Sequence, residues 1–314
     1  MHVLVTGVSG FVGHHLVAQL QREGHRVTGI VRPGSSAIPA GVAVRQADVT
    51  DPAALAAAVR SAAPDAIIHL AGASSVGASF ADPGRTWNIN VGGTLSVLEA
   101  VRNAAEPPRT LIVTSGEIYG LVDVADLPVG EDTPLCPVSP YGASKAAADL
   151  AALQYHRGYG LPILRIRPLN HIGPGQDARF VLPNLARQIA EAEYEGRRHV
   201  DIKIGNVSTR RDFTDVRDVV RAYAALLNQG SPGAPYLVCS GRSLPVADLA
   251  AALVNAARIE VELVTDPGLV RSGEQPDLYG DARRLHQDTG WTPVIDINRT
   301  VADTLDWWRV RVAA

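Results

Sequence analysis

Val3-Leu4-Val5-Thr6-Gly7-Val8-Ser9-Gly10-Phe11-Val12-Gly13 is the stretch from which the fold can be read. Its short apolar opening reads as a buried strand, and the glycines that follow stand at G-x-x-G-x-x-G spacing. Beyond them, His14 to Glu23 places Leu16, Val17 and Leu20 at helical spacing, Gly24 closes the helix, and Arg26 to Val31 is again strand-like. Strand, glycine turn, helix and strand form the context in which such glycines bind a dinucleotide. The first glycine permits a sharp turn, the second lets backbone approach a pyrophosphate, and the third lets helix pack on strand. The helix N-terminus then offers amide donors and the positive end of its dipole to the phosphates. Gly7, Ser9, Gly10, Phe11, Val12 and Gly13 are therefore cofactor-binding candidates.

The end of the second strand bears on which dinucleotide. An acidic residue there would accept hydrogen bonds from a ribose 2′-hydroxyl, whereas an arginine suits a 2′-phosphate. The strand ends Ile30-Val31-Arg32-Pro33-Gly34 without a carboxylate, so Arg32 favours NADP(H), with NAD(H) as the alternative. Further units follow. Val42 to Asp48 reads as a third strand, after which Asp51 can cap a helix that Pro52 begins. Asp65 to Gly72 is a fourth strand, a long helix runs roughly from Thr86 to Asn103, and Thr110 to Ser115 is a fifth strand. This alternation predicts an α/β, doubly wound parallel sheet with ligands at the carboxyl ends of its strands, where Gly7, Ala71 and Ser115 lie. After a sixth strand, Leu161 to Arg167, the pattern loosens. Helices at Phe180–Glu195, Arg217–Asn228 and Val246–Arg258 alternate with short strands, and the tail reads as a smaller cap.

Composition excludes several classes. With 314 residues and 46% hydrophobic content the chain can bury a substantial core. A net charge of -3 lacks the basic footprint expected for nucleic acid. No apolar run approaches the length of a membrane span, and the N-terminus lacks the charged leader of a secretory signal. Cys136 and Cys239 have neither metal nor redox spacing, which predicts reduced thiols in a cytoplasmic protein. No metal site is expected either: His171 has no second ligand at suitable spacing.

Ser139-Pro140-Tyr141-Gly142-Ala143-Ser144-Lys145 carries the chemistry. Residues four apart share a helix face, so Lys145 stands one turn beyond Tyr141. A neighbouring cation favours the phenolate, and the expectation is that Lys145 lowers the Tyr141 pKa enough for proton exchange with a carbonyl or alcohol oxygen. The chain holds only two lysines and eight tyrosines, for which chance would give about 0.05 Tyr-x-x-x-Lys matches.

With Gly7/Gly10/Gly13, Asp48-Val49, Leu70-Ala71-Gly72, Ser115, Tyr141-x-x-x-Lys145 and Arg211-Asp212-Phe213-x-Asp215-Val216-x-Asp218, the chain resembles the extended short-chain dehydrogenase/reductases over essentially its whole length. Gly116-Glu117-Ile118-Tyr119-Gly120, Arg167-Pro168-Leu169-Asn170-His171-x-Gly173-Pro174-Gly175-Gln176, and Arg271 ahead of Gly280-Asp281 narrow this. They resemble the GDP-4-keto-6-deoxy-D-mannose reductases and GDP-mannose 4,6-dehydratases. The resemblance implies a Rossmann-type sheet with a smaller C-terminal α/β substrate-binding domain. Residues 1–169 with about 208–240 would bind NADP, and about 170–207 with 241–314 the nucleotide sugar.

It implies NADP(H)-dependent reduction of a sugar C4 ketone to a GDP-6-deoxyhexose of the GDP-D-rhamnose type, with 4,6-dehydration or 4-epimerisation as alternatives. Tyr141 would give the proton, Ser115 would hydrogen-bond the same oxygen, and Lys145 would hold the ribose. Glu117 matches the glutamate that takes a sugar proton in the dehydratases, and the reductases tend to keep it too. Asp48, Val49, Leu70, Ala71, Gly72, Thr114 and His171 would line the cofactor. Asn170, Arg187, Arg211 and Arg271, with Ser115 and Glu117, would bind the GDP-sugar, the arginines as forks for its diphosphate. The resemblance also implies a homodimer that includes the helix of Tyr141 and Lys145.

Overall fold

The structure, a computed structural model, describes residues 1–35, 37–269 and 275–314. Its strands begin with β1 (His2–Thr6), β2 (Arg26–Val31), β3 (Ala43–Gln46), β4 (Ala66–His69), β5 (Arg109–Val113) and β6 (Ile163–Pro168). Next come β7 (Asn170–Ile172), β8 (His199–Ile204), β9 (Arg210–Asp215), β10 (Pro235–Val238), β11 (Ser243–Pro245), β12 (Glu260–Thr265) and β13 (Asp277–Leu278). Seven of them form one sheet in the order β3–β2–β1–β4–β5–β6–β10, parallel throughout. The order reverses between β1 and β4, which places a topological switch point beside the glycine turn.

Alternation along each strand sends neighbouring side chains to opposite faces, and here both faces are covered. Val3 and Val5 meet Leu16, Val17 and Leu20 of α1 (Phe11–Arg22) on one side. Leu4 meets Leu55 and Val59 of α2 (Pro52–Ala62) on the other. Asp51 caps α2 through its carboxylate and Pro52 takes the first position, as the sequence predicts. The long helix predicted from Thr86 is interrupted. After α3 (Val76–Ala81), residues 83–102 run as α4 (Pro83–Trp87), a π-helical turn (Asn88–Gly92) and α5 (Gly93–Arg102). Then follow α6 (Pro140–Tyr159), α7 (Val181–Tyr194), α8 (Val216–Gln229), α9 (Val246–Ala256), α10 (Arg283–Thr289) and α11 (Ile297–Ala313).

A second layer is built around β9, which pairs with β7 and β13 in parallel and with β11 antiparallel; β8 and β12 form a separate ribbon. Its core joins Leu182, Leu185 and Ile189 of α7 to Phe213, Leu249, Leu253, Val301 and Leu305. The chain therefore crosses between layers at the end of β9, since α8 and β10 complete the first layer's core through Val219, Tyr223 and Tyr236. Leu285 of α10 and Trp291 return to that same core. No helix among the described residues is long and apolar enough to cross a membrane.

Candidate active site

Gly7 sits at φ +73°, and a Cβ there would come within 2.7 Å of the Ala71 amide nitrogen. Only glycine lets the turn after β1 lie against the end of β4. The N-terminus of α1 carries no acidic residue in its first turn, and its capping residue is Gly10, whose lack of a side chain leaves the amides without a side-chain cap. That is the donor set a pyrophosphate needs. The residues present therefore fit a dinucleotide. Phe11 stacks on His171 at 6.1 Å, which brings the segment after β6 up to this turn, and burial lowers the His171 pKa. Arg32 lies exposed just past the end of β2. Asp48 accepts from the amide and hydroxyl of Thr50, which hold its carboxyl low, with Arg32 adding to the effect. Val49 is buried, and Thr114 donates its hydroxyl to the Ile166 carbonyl oxygen.

The strand ends are tied by a side chain the sequence did not single out. His69 pairs through Nδ1 with Thr6 Oγ1 at 2.7 Å and through Nε2 with Thr94 Oγ1 at 3.3 Å, while Thr6 Oγ1 accepts from the Ala71 amide. Burial, reinforced by the charge of Lys145, holds the imidazole down at about 3, so it is neutral. Asn90, in the π-helical turn, does similar work. Its amide accepts from the Ala73 amide at 2.8 Å and donates to Ser144 Oγ at 2.9 Å, joining the segment after β4 to α6. A π turn inside a helix commonly marks a functional site, but no spacing rule finds one in a sequence.

Helix α6 starts as predicted: the Ser139 hydroxyl accepts from the Gly142 amide, and Pro140 takes the first position. Tyr141 and Lys145 are then buried one turn apart. A Cβ on Gly142 would lie 2.6 Å from the Glu117 carbonyl oxygen, so the glycine lets α6 press against the 3₁₀ turn Gly116–Ile118. That turn is capped by Ser115, whose Oγ accepts from the Glu117 amide at 3.2 Å and lies near enough to the Tyr141 phenol to lower its pKa. Ser115 thus caps the turn at the end of β5. The Lys145 ammonium donates to the Val113 carbonyl oxygen at 3.0 Å. A Cβ on Gly72 would stand 3.3 Å from it, so the end of β4 closes the same corner.

The expected acidification of Tyr141 by Lys145 is not what the structure gives. Burial pushes the phenol up to about 12, Ser115 opposes this, and the Glu117 charge adds to the rise. Lys145 is itself pushed down to about 8 by burial. Loss of solvent, not the cation one turn away, sets the direction of the phenol's shift.

The arginine-aspartate motif proves to be a set of tertiary ties. Asp212 accepts from the amides of Ser240, Gly241 and Gly280; Asp215 pairs with Arg217 and Thr300; Asp218 accepts from the amides of Val294 and Ile295. Arg211, on β9, is half-buried with Nη1 on the Arg210 carbonyl oxygen. Asn170 is exposed on β7, next to β9. Arg187 pairs on the surface of α7 with Glu191 at 2.7 Å and with Asn184. Arg271 lies outside the described residues. Among those residues one trio with metal-ligating atoms occurs, His199, Asp201 and Glu262, exposed on the β8–β12 ribbon and sharing no member with the site.

A family model described as GDP-mannose 4,6 dehydratase matches residues 4–304. The chain belongs to this family. Within the GDP-mannose 4,6-dehydratase family it is 39% identical to a GDP-6-deoxy-D-mannose reductase of Pseudomonas aeruginosa, over 99% of this chain and 98% of that protein. It is 32% identical to a dTDP-glucose 4,6-dehydratase of Streptomyces antibioticus, covering 98% of this chain and 92% of that one. The solved structure of RMD from Pseudomonas aeruginosa complexed with NADPH superposes with a TM-score of 0.87 at 38% identity, covering 99% of both chains.

Proposed function

We propose that the protein is an NADP(H)-dependent short-chain dehydrogenase/reductase that reduces the C4 ketone of GDP-4-keto-6-deoxy-D-mannose to a GDP-6-deoxyhexose of the GDP-D-rhamnose type. The observation that carries this reading is the reductase relative matched from end to end at 39% identity. The NADPH held by the structural neighbour and the exposed Arg32 favour NADP(H), with NAD(H) as the second choice. When bound, NADPH supplies the hydride.

Gly7, Ser9, Gly10, Phe11, Val12 and Gly13 would hold the pyrophosphate, and Arg32 a 2′-phosphate. Asp48, Val49, Leu70 to Gly72, Thr114 and His171 would line the remainder. Ser115 stands close enough to the Tyr141 phenol to oppose its rise, so one carbonyl oxygen could meet both hydroxyls. A phenol raised to about 12 keeps its proton at neutral pH. It releases the proton only as the ketone oxygen gains charge, which suits the reductive direction. Lys145 would orient the ribose. Asn170, Arg187, Arg211 and Arg271 would anchor the GDP-sugar.

Dehydration is the second reading: Glu117, whose carboxylate stands near enough to raise the Tyr141 phenol, matches the dehydratase glutamate, which the reductases also tend to keep. Mixing purified protein with NADPH and GDP-4-keto-6-deoxymannose separates the two. Oxidation of NADPH with formation of a 6-deoxyhexose supports the reductase. Conversion of GDP-mannose without added cofactor, and no NADPH consumption, overturns it. A homodimer accords with Trp87, Leu95 and Leu150, which are exposed on α4, α5 and α6.

A further inference from the structure

Asp149 lies two turns beyond Tyr141 on α6 and is fully buried against two arginines of β6, themselves almost completely enclosed. Arg165 donates to Asp149 Oδ1 at 2.7 Å. Arg167 donates through Nε to Oδ2 at 3.0 Å and through Nη2 to Oδ1 at 2.8 Å, a bidentate fork. The remaining terminal nitrogen of Arg167, Nη1, turns away from the pair. It reaches the Tyr119 hydroxyl at 3.1 Å and the Glu131 carbonyl oxygen at 2.9 Å. Tyr119 is the C-terminal cap of the 3₁₀ turn whose N-terminal cap is Ser115.

One guanidinium thus joins the helix of Tyr141 and Lys145 to the turn of Ser115. It is also carried by the strand that continues through Pro168 and Leu169 to Asn170. Eight helical residues, about 12 Å, separate Asp149 from Tyr141. Over that distance a small tilt of α6 would separate the phenol from Ser115.

We propose that Arg167 is a positioning residue of the reaction, acting through Asp149 and Tyr119 to hold Tyr141 in register with Ser115. This rests on the reductase reading for its kinetic readout. Arg167 touches no reacting atom, and its planar fork is what the role requires. A lysine would keep the charge beside Asp149 but could not serve the helix and the turn together.

The test compares Arg167→Lys and Tyr119→Phe with the wild type. The expected outcome for Arg167→Lys is a kcat lowered about 30- to 100-fold, with NADPH Kd and substrate KM within about threefold and an altered pH profile of kcat. Tyr119→Phe, which removes one hydrogen bond, should lower kcat about fivefold to tenfold at unchanged Tm. A fall in rate matching only the loss of folded protein, with KM and pH profile unmoved, overturns the proposal. If Arg167→Lys fails to fold, unchanged kcat in Tyr119→Phe overturns it. A crystal structure of either folded variant gives a readout independent of substrate identity: the Ser115–Tyr141 contact must open. If it stays closed the proposal falls, even should the wild type prove inactive on the keto sugar.

Discussion

Tyr141 and Lys145 behave as buried groups before they behave as a pair. Between the Lys145 value of about 8 in the fold and the ordinary value of 10.5, the unfolded chain binds a proton that the folded chain has released. Stability contributed by this group therefore rises with pH across that window and is lost as pH falls back through it. Urea unfolding midpoints at pH 8 and pH 10 should show the wild type gaining relative to Lys145→Met; parallel responses would contradict the burial assignment. Tyr141→Phe deletes the donated proton but leaves the glycine turn intact. Its turnover should fall about 10²- to 10⁴-fold while NADPH titration gives a near-normal Kd. The four-residue spacing of the pair was legible in the sequence. The direction of the phenol's shift was not, because it depends on how much protein surrounds the ring.

Helix starts were among the most legible elements. Asp51-Pro52 and Ser139-Pro140 each combine an oxygen acceptor with a residue that needs no amide partner, and both begin helices where expected. The π turn at Asn88–Gly92 was illegible, since its register depends on Asn90 finding Ala73 and Ser144 across space. Gly142 shows how two elements set one site. In Gly142→Ala the new methyl group meets the Glu117 carbonyl oxygen. Overpacking costs about 1–3 kcal/mol, against a helix gain of about 1 kcal/mol. Stability should drop by at most about 2 kcal/mol, whereas kcat should fall more than tenfold as Ser115 and Tyr141 part. Thermal melts and initial rates on the same preparation check both.

Across the whole molecule, His2, His15, His69 and His171 are all held below the ordinary imidazole value of 6.5, chiefly by burial. Each takes up a proton more readily in the unfolded chain, so stability declines as pH falls below about 6.5. Tm should be lower at pH 5 than at pH 7.5, and His69→Asn should flatten that dependence because the His69 window extends down to about 3. An unchanged slope would remove His69 from this role. At the same scale, Asp212, Asp215 and Asp218 fasten the second layer and the C-terminal segments to α8 and β9. Their motif is visible in the sequence, but its structural use depends on amides far away in the chain.

The sequence by itself determined the strand–turn–helix opening, the parallel α/β class and the shared face of Tyr141 and Lys145. Glycine spacing, apolar periodicity and helix capping act over a few residues and leave a direct trace in the chain. The tertiary structure alone decided which carbonyl receives the Lys145 ammonium, which arginines enclose Asp149, and how far the Tyr141 phenol is raised. Those outcomes depend on packing and desolvation between segments far apart in the chain, and no local pattern encodes the solvent a residue loses on folding.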